Sequence, residues 1–383
     1  MREASGRKYL YQKSYMAFLQ GVIDSIGYRL FKQHECAFDA SKVRKILVSR
    51  IDHLGDVFIA SSALPHLRKA YPTARIHFMA GTWTHPYLKL NPLVDEILAF
   101  DGLRFNRGNG ILKRLAIGIA SYVRALRKLR SERYDLFLAL RAYPFNSIPL
   151  AYLGGARCIV GFGAGGYGFL LDKTAPYREG THEVGHVADV LRAISLSVSE
   201  KEMRPGVTVS DEARSAFEKE LVSLGVEQGE RYALIHTGSG SNYKLWDKEQ
   251  WQRLVDALKC EFGLKVIGSD PVYKGLNGCI NAPSLIELEG FAVAAQGASL
   301  FVGLDSFPAH LAASFGTPTV VVWCGINDHR QWRPVGSRVA VVRKDVDCAP
   351  CFKKTGCPDM KERCMDISAD DCLKEIRGLL AGR

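Results

Sequence analysis

Asp56 stands where an ionisable side chain can do chemistry. The run Lys45-Ile-Leu-Val-Ser-Arg-Ile-Asp-His-Leu-Gly-Asp-Val-Phe-Ile-Ala, residues 45–60, reads as a buried strand, a glycine-containing turn and a helix start. The strand is the apolar stretch Ile46 to Val48, the turn runs from Ile51 to Gly55, and the helix begins near Asp56. A carboxylate there lies at the carboxyl end of a strand, where open α/β sheets bind their ligands. The adjoining helix dipole predicts a lowered pKa, so that Asp56 is ionised at neutral pH and able to accept a proton.

Two further loops have the residue types that hold phosphate. His236-Thr237-Gly238-Ser239-Gly240-Ser241-Asn242-Tyr243-Lys244 follows an apolar strand. Its glycines and small hydroxyl residues let backbone N–H groups approach an anion. Lys244 adds a point charge, and Asp247 is the N-cap of the next helix. The plainer alternative is an ordinary strand-to-helix loop. Gly303-Leu304-Asp305-Ser306-Phe307-Pro308-Ala309-His310 is a second such place. Ser306 fits an N-cap and Pro308 an early helical position. The first N–H groups of that helix then face a diphosphate. His310 lies one turn in, and its plain alternative is a helix-packing histidine.

Three other patterns compete for a chemical role. His182-Glu183-Val184-Gly185-His186 matches the H-E-x-x-H of zinc hydrolases, with both histidines on one helix face and Glu183 as general base. Gly185 weakens such a helix, and no third ligand follows at a standard spacing. Cys348-x2-Cys351, with Cys357 and Cys364 nearby, offers four thiolates to zinc, but the second C-x2-C of a ribbon is missing. The alternative is a cysteine-rich surface loop that packs. Gly161-Phe-Gly163-Ala-Gly-Gly166 follows a strand but lacks the long helix that a dinucleotide fingerprint requires, so it reads as a flexible glycine loop.

These residues are positioned by two successive β-α alternations. Strand-like runs at Ile46–Ser49, Arg75–Met79, Glu96–Phe100, Leu136–Leu140 and Cys158–Gly161 are separated by helical patterns. A charged stretch ending in Pro205-Gly206 reads as a linker. Strand-like runs then return at Tyr232–His236, Lys265–Gly268, Ser299–Gly303, Pro318–Trp323 and Arg338–Arg343. Such alternation predicts parallel sheets covered by helices on both faces. Pro65 inside the first helical run predicts a kink or a second helix start. The domains expected are an amphipathic extension over 1–41, a first α/β domain over 42–203, a second α/β domain over 204–368 and a C-terminal helix over 369–383. That last helix is expected to pack back on the first domain.

The extension has Tyr11, Tyr15, Phe18, Leu19, Val22, Ile23, Ile26, Leu30 and Phe31 at spacings of three and four, flanked by Lys8, Lys13, Arg29 and Lys32. Two readings stay open: a helix docked on the protein body, or an interfacial membrane helix. Of 383 residues 47% are hydrophobic, as expected of chains that bury cores, and the formal net charge is +11. Arg104, Arg107, Lys113, Arg114, Arg124, Arg127, Lys128, Arg130 and Arg133 cluster in one stretch. Positive charge by itself reads first as solubility; if it marks an anionic partner, nothing there resembles a nucleic-acid module, which favours a membrane surface or an anionic glycolipid. No run of about 20 apolar residues that would cross a bilayer is present. The first apolar run is interrupted by Lys13 and Asp24, which makes it a poor signal peptide, so a cytoplasmic protein is expected.

Arg50-Ile-Asp52-His-Leu-Gly55-Asp56, followed by Ala63-Leu-Pro65-His-Leu-Arg68, resembles the N-terminal signature of the heptosyltransferases, glycosyltransferase family 9. The resemblance continues through Tyr71-Pro72, Asn91-Pro92, Val94-Asp95-Glu96 and Tyr134-Asp135-Leu136, and resumes at His236-Thr-Gly-Ser and Gly303-Leu-Asp305-Ser306-Phe-Pro308-Ala-His310. It implies an α/β GT-B fold, with two Rossmann-like domains facing across a cleft, the first, 42–203, for the acceptor and the second, 204–368, for the nucleotide sugar. It implies an inverting, metal-independent transferase that needs no cofactor and moves heptose from ADP-L-glycero-D-manno-heptose to an inner-core lipopolysaccharide acceptor at the inner face of the inner membrane. Asp56 is then the catalytic base, with Asp52 and Arg50 in support; Asp52 could orient the acceptor or substitute as base. Arg50 and the Arg124–Arg130 stretch could meet acceptor phosphates or lipid headgroups. Thr237, Ser239, Lys244, Asp305, Ser306 and His310 become donor-binding residues. The family also carries a loop like that of Cys348 to Cys364, without a catalytic role. Two loops depart from the family pattern, Gly268-Ser269-Asp270-Pro271 and Cys324-Gly325-Ile326-Asn327-Asp328, so the base and sugar stay open. Outside this class, a zinc hydrolase and a non-catalytic nucleotide- or glycan-binding module remain as alternatives.

Overall fold

Strand β1, Lys45–Ser49, is the axis of the first sheet. Ile46, Leu47 and Val48 are all fully buried, as a strand covered on both faces must be. It pairs in parallel with β2, Arg75–Ala80, on one side and with β4, Leu136–Ala139, on the other. The computed structural model describes residues 9–10, 13–31, 39–102, 111–144, 146–269, 272–273, 275–352, 357 and 363–382, the side chains of residues 111, 112 and 114 excepted. Lys8, Tyr11, Lys32, Arg104, Arg107, Asp270, Pro271 and the side chain of Arg114 therefore lie outside the described residues.

The chain divides into units Met1–Pro205 and Gly206–Arg383. In the first, β3, Glu96–Ala99, β5, Ile159–Gly161, and β6, Lys173–Thr174, complete a sheet in the order β3-β2-β1-β4-β5-β6. The chain moves outward from β1 to β3 and then returns to β4. The reversal puts a topological switch point at the carboxyl ends of β1 and β4. Its helices are α1, Ser14–Leu30, α2, Leu54–Ala60, α3, Ala63–Ala70, α4, His85–Lys89, α5, Ile111–Glu132, α6, Ile148–Leu153, and α7, Glu183–Ala193. Pro65 sits in the first turn of α3, so the helical run after β1 is two helices. Several residues of the signature fix strand starts. The Asp135 carboxylate accepts the N–H groups of Arg44 and Lys45 at 2.9 and 3.0 Å, and that of Asp95 accepts the Ile76 N–H at 2.7 Å.

The second unit repeats the plan. Its strands are β7, Tyr232–His236, β8, Lys265–Ser269, β9, Cys279–Asn281, β10, Leu300–Leu304, β11, Thr319–Trp323, and β12, Val339–Arg343, in the order β12-β11-β10-β7-β8-β9. Its switch point falls between β7 and β10. The helices are α8, Asp211–Ser223, α9, Lys248–Cys260, α10, Leu288–Gly297, α11, Phe307–Ser314, α12, His329–Trp332, and α13, Ala369–Ala381. The edge strands β6 and β9 were not foreseen; at two and three partly exposed residues they carry no apolar run.

The final helix, α13, belongs to the second unit. Its Cys372, Leu373 and Ile376 are buried in one core with Trp251, Leu254, Val255 and Leu258 of α9. Ser368 caps it reciprocally with Asp371, and Trp246 Nε1 donates to Ile367 O at 2.7 Å just before it begins. Ile376→Ala removes a fully buried side chain and should cost about 2–5 kcal/mol. Urea unfolding checks this, and a loss near zero would mean that α13 is not part of that core.

Candidate active site

Arg50 follows β1 directly and is 1% exposed. Its Nε lies 3.0 Å from Asp52 Oδ2, its Nη2 donates to Asp56 Oδ1 at 3.2 Å, and its Nη1 donates to Glu183 Oε1 at 2.7 Å. The same Nη1 reaches Leu140 O, just beyond β4. Arg141, the next residue, donates to Asp52 Oδ1 and, through Nε, to Pro144 O at 3.1 Å. The loops after β1 and β4 are thus joined across the switch point by guanidinium groups. Trp83 Nε1 donates to Asp52 O at 3.0 Å and holds the turn from a third side.

The charges do not balance pairwise. Two guanidinium groups, Arg50 and Arg141, face three carboxyls. Glu183 is as buried as Arg50. Burial alone would push its pKa up, but Arg50 and His186 reverse that and hold it at about 2. Asp52 is 8% exposed and touches both arginines. Asp56, at 16% the most accessible of the three side chains, lies 3.2 Å from Arg50 Nη2. Burial and then the Asp52 carboxylate push its pKa up to about 7, against the opposing pull of Arg50, with Glu183 adding to the rise.

This overturns the expectation of an acid with a lowered pKa. α2 begins at Leu54 and has seven residues, so Asp56 does lie in its first turn. A helix N-terminus contributes about 0.3–1 kcal/mol, whereas moving a pKa by one takes about 1.4 kcal/mol. Desolvation beside two other carboxyls outweighs the dipole. Arg50 is likewise not an acceptor-phosphate ligand, because its guanidinium is enclosed by carboxyls.

The H-E-x-x-H segment is part of this cluster and does not form a zinc pair. His182 has extended backbone as the N-cap of α7, and its Nδ1 accepts the Val184 N–H at 3.2 Å. His186 Nδ1 contacts Glu183 Oε2 at 3.2 Å and its Nε2 contacts Arg178 O at 3.0 Å. Glu183 faces Arg50. The cysteines are not assembled either: among the described residues no three metal-ligating side chains gather. Cys351 N–H donates to Gly325 O at 2.9 Å, and Cys364 Sγ lies 3.9 Å from Cys324 Sγ, a partner outside the set Cys348, Cys351, Cys357 and Cys364. The glycine run 161–166 is packed and not loose. A Cβ on Gly165 would lie 2.6 Å from Tyr143 O.

In the second unit, Lys244 and Asp305 also meet at a switch point. Lys244 Nζ pairs with Asp305 Oδ2 and lies 3.3 Å from Asp305 O, which joins the loops after β7 and β10. Asn327, from the loop after β11, donates to Asp305 Oδ2 at 3.2 Å. Cys324 Sγ lies 3.4 Å from Tyr243 O in the same place. Thr237 is fully buried, and its N–H points to Ser269 O at 3.4 Å. Ser239 Oγ is shielded and has no hydrogen-bond partner among the described residues. Ser306 occupies the N-cap position of α11, but its hydroxyl donates back to Leu304 O at 3.3 Å and caps no N–H. His310 is buried in α11. Sequence reasoning named Arg50, Asp52, Asp56, Lys244 and Asp305. It did not single out Arg141, named Asn327 only within a loop that departs from the family pattern, and offered Glu183 only as the base of an alternative zinc reading. The signal for Arg141 was available: a charged residue directly after a buried parallel strand, as Arg50 is.

Two doubly wound α/β units, each with charged side chains meeting at its switch point, define an α/β two-domain GT-B glycosyltransferase. The family model for glycosyltransferase family 9 (heptosyltransferase) matches residues 122–360, and the chain belongs to that family. It is 27% identical over 300 residues to lipopolysaccharide heptosyltransferase 3 of Escherichia coli, an alignment covering 73% of this chain and 83% of that protein. Its fold is similar to the crystal structure of the glycosyl transferase family 9 from Veillonella parvula DSM 2008, with a TM-score of 0.72, 20% identity and coverage of 92% of this chain and 99% of that one. It is also similar to E. coli ADP-heptose lps heptosyltransferase II, with a TM-score of 0.63, 20% identity and coverage of 88% and 99%.

The raised Asp56 pKa has a stability consequence. Its folded value of about 7 exceeds the ordinary carboxyl value of about 4. The native state therefore binds this proton more tightly. The associated stability is present below pH 4 and is lost as pH rises through about 7. Asp56→Asn should raise the melting temperature at pH 8 and change it little at pH 4. Glu183→Gln replaces a charge-assisted bond to Arg50 by a neutral one, with Asp52 and Asp56 still balancing the two arginines, and should destabilise by about 1–3 kcal/mol. Thermal melts across pH check the first, and equilibrium denaturation the second.

Proposed function

We propose that this protein is an inverting, metal-independent heptosyltransferase that uses ADP-L-glycero-D-manno-heptose and an inner-core lipopolysaccharide acceptor. Membership of the family makes it a heptose-transferring glycosyltransferase. The donor is supported by the relative named as an ADP-heptose enzyme. The acceptor is supported by the lipopolysaccharide heptosyltransferase 3 relative. The acceptor glycolipid is anionic, and its place is the cytoplasmic face of the inner membrane.

The observation that carries the chemistry is the weakly compensated carboxyl at Asp56, which shares Arg50 with Asp52 and Glu183. A general base works best when its pKa lies near the operating pH. Asp56 takes the acceptor hydroxyl proton as that oxygen bonds to the anomeric carbon. The bond from that carbon to the diphosphate oxygen breaks, with attack from the opposite face, so the configuration inverts and ADP departs. Lys244 and the N-terminal turn of α11 face the negative charge that grows on the leaving diphosphate. Asp305 and Asn327 set the position of Lys244, and Ser239, Thr237, Ser306 and His310 complete the donor site. Asp52, held by two arginines, orients the acceptor side. A different nucleotide sugar would leave these roles unchanged.

Donor turnover with extracted acceptor glycolipid tests the reading, comparing ADP-heptose with UDP- and GDP-sugars in the presence of chelator. Transfer from ADP-heptose is expected, and transfer from another donor alone would overturn the heptose assignment. Asp56→Ala should lose several orders of magnitude in kcat. In the wild type kcat/KM should rise with pH through about 7 as Asp56 ionises. A flat pH profile would remove Asp56 from the base role. Lys244→Ala should lower kcat by about 10²–10³-fold.

A further inference from the structure

Helix α1 is built inside out. Its buried residues are Gln20, Asp24 and Gly27, spaced four and three apart, and these are polar or small. The Asp24 carboxylate accepts the Tyr9 hydroxyl at 2.9 Å, the Gln20 amide at 2.8 Å and the Tyr167 N–H at 2.9 Å. Gly27 lies so close to Phe169 that an added Cβ would come within 2.4 Å of its ring. The apolar residues point the other way. Phe18, Leu19, Val22, Ile23 and Ile26 are exposed, as is Leu30, with Phe18 at 72% and Leu30 at 74%. A helix resting on a protein and facing water has the reverse polarity.

The face continues beyond α1. The Phe31 ring meets that of Tyr152 on α6 at 5.7 Å, and Tyr152 and Leu153 are exposed. Leu153 O accepts Arg130 Nε of α5 at 3.1 Å. The outward stripe of α5 runs Leu115, Ile119, Val123, Arg127, Arg130, all exposed at helical spacing. Its apolar part gives way to its basic part where α5 meets α6.

We propose that this face is a docking surface for an anionic lipid bilayer. α1 lies in the plane of the interface with its apolar side among the acyl chains, and Arg127 and Arg130 meet the headgroups. Charge chooses this occupant. The only acid in α1, Asp24, is buried and fully hydrogen-bonded, and Lys13 and Arg29 stand at the helix ends. A second copy packing isologously would bring this face against itself, with no exposed acid of α1 to pair with Arg127 and Arg130. Among the described residues no helix is long and apolar enough to cross a membrane, so the binding is in-plane. The proposal goes beyond the reaction and is independent of which sugar is transferred.

Cosedimentation of the purified full chain with vesicles tests it, comparing phosphatidylglycerol-containing vesicles with pure phosphatidylcholine. Strong, salt-weakened binding to the anionic vesicles alone is expected. The pair Phe18→Asp and Leu30→Asp should lower that binding at least about tenfold. The pair Arg127→Glu and Arg130→Glu should lower it at least about fivefold per arginine. All four positions are exposed, so thermal melts of both variants should match the wild type. The proposal is overturned if the wild type ignores anionic vesicles, or if both folded variants bind them as the wild type does. It is also overturned if the chain dimerises without lipid through Phe18 and Leu30 and binds no vesicle; the face would then belong to a second copy.

Discussion

The first unit depends on keeping one guanidinium charged inside a sheet. Arg50 is enclosed at the carboxyl end of β1, where an unpaired cation would cost several kcal/mol. Three carboxyls from two segments and a carbonyl beyond β4 converge on it. The Asp52–Asp56 turn, the start of α7 and the loop after β4 are therefore held together by one side chain. Because Arg141 adds only one more positive charge, one proton or one external cation would bring the group to neutrality. The proton goes to the carboxyl with the least compensation and the most access, which is Asp56.

The second unit places a smaller version of this device at the same topological position. Lys244 and Asp305 join the loops after β7 and β10, as Arg50 and Leu140 join those after β1 and β4. The balance differs. Three carboxyls compete for two guanidinium groups in the first unit, and the surplus acid raises proton affinity. In the second unit a single lysine is held by a single aspartate, which Asn327 also engages. A flexible ammonium held this way is poised to face an anion. On the proposed reading one unit supplies the proton acceptor and the other faces an anion, a difference set by the number of acids placed near each cation.

Both sheets and the main charged residues were legible in the sequence because buried parallel strands read as continuous apolar runs. β6 and β9 were not legible, being too short to have a pattern. Residues stood out one at a time: Asp56 and Lys244 from their own loops, Arg50 and Asp305 only through the family resemblance. What no local motif could supply was their pairing. Glu183 is 133 positions from Arg50, and its own segment spelled a zinc-hydrolase pattern, so its neighbours in sequence pointed to the wrong partner. The ionisation state of Asp56 failed for the same reason. A helix start is visible locally, while the competing carboxyls of Asp52 and Glu183 matter only once the fold has set them around one arginine.

Periodicity has a similar limit in α1. Spacings of three and four identify an apolar face without saying which way it points. The direction is set by the few residues that must be inside. Asp24 has partners from Tyr9, Gln20 and Tyr167, and Gly27 permits the close approach of Phe169. A buried carboxylate with three donors outweighs the gain from turning a leucine inward, because leaving that charge unpaired would cost more than burying one aliphatic side chain returns. The same rule therefore governs both ends of this unit. Satisfying a buried charge fixes the geometry first, and what is left over, an ionisable acid at Asp56 or an apolar face on α1, is what the protein has available for a partner.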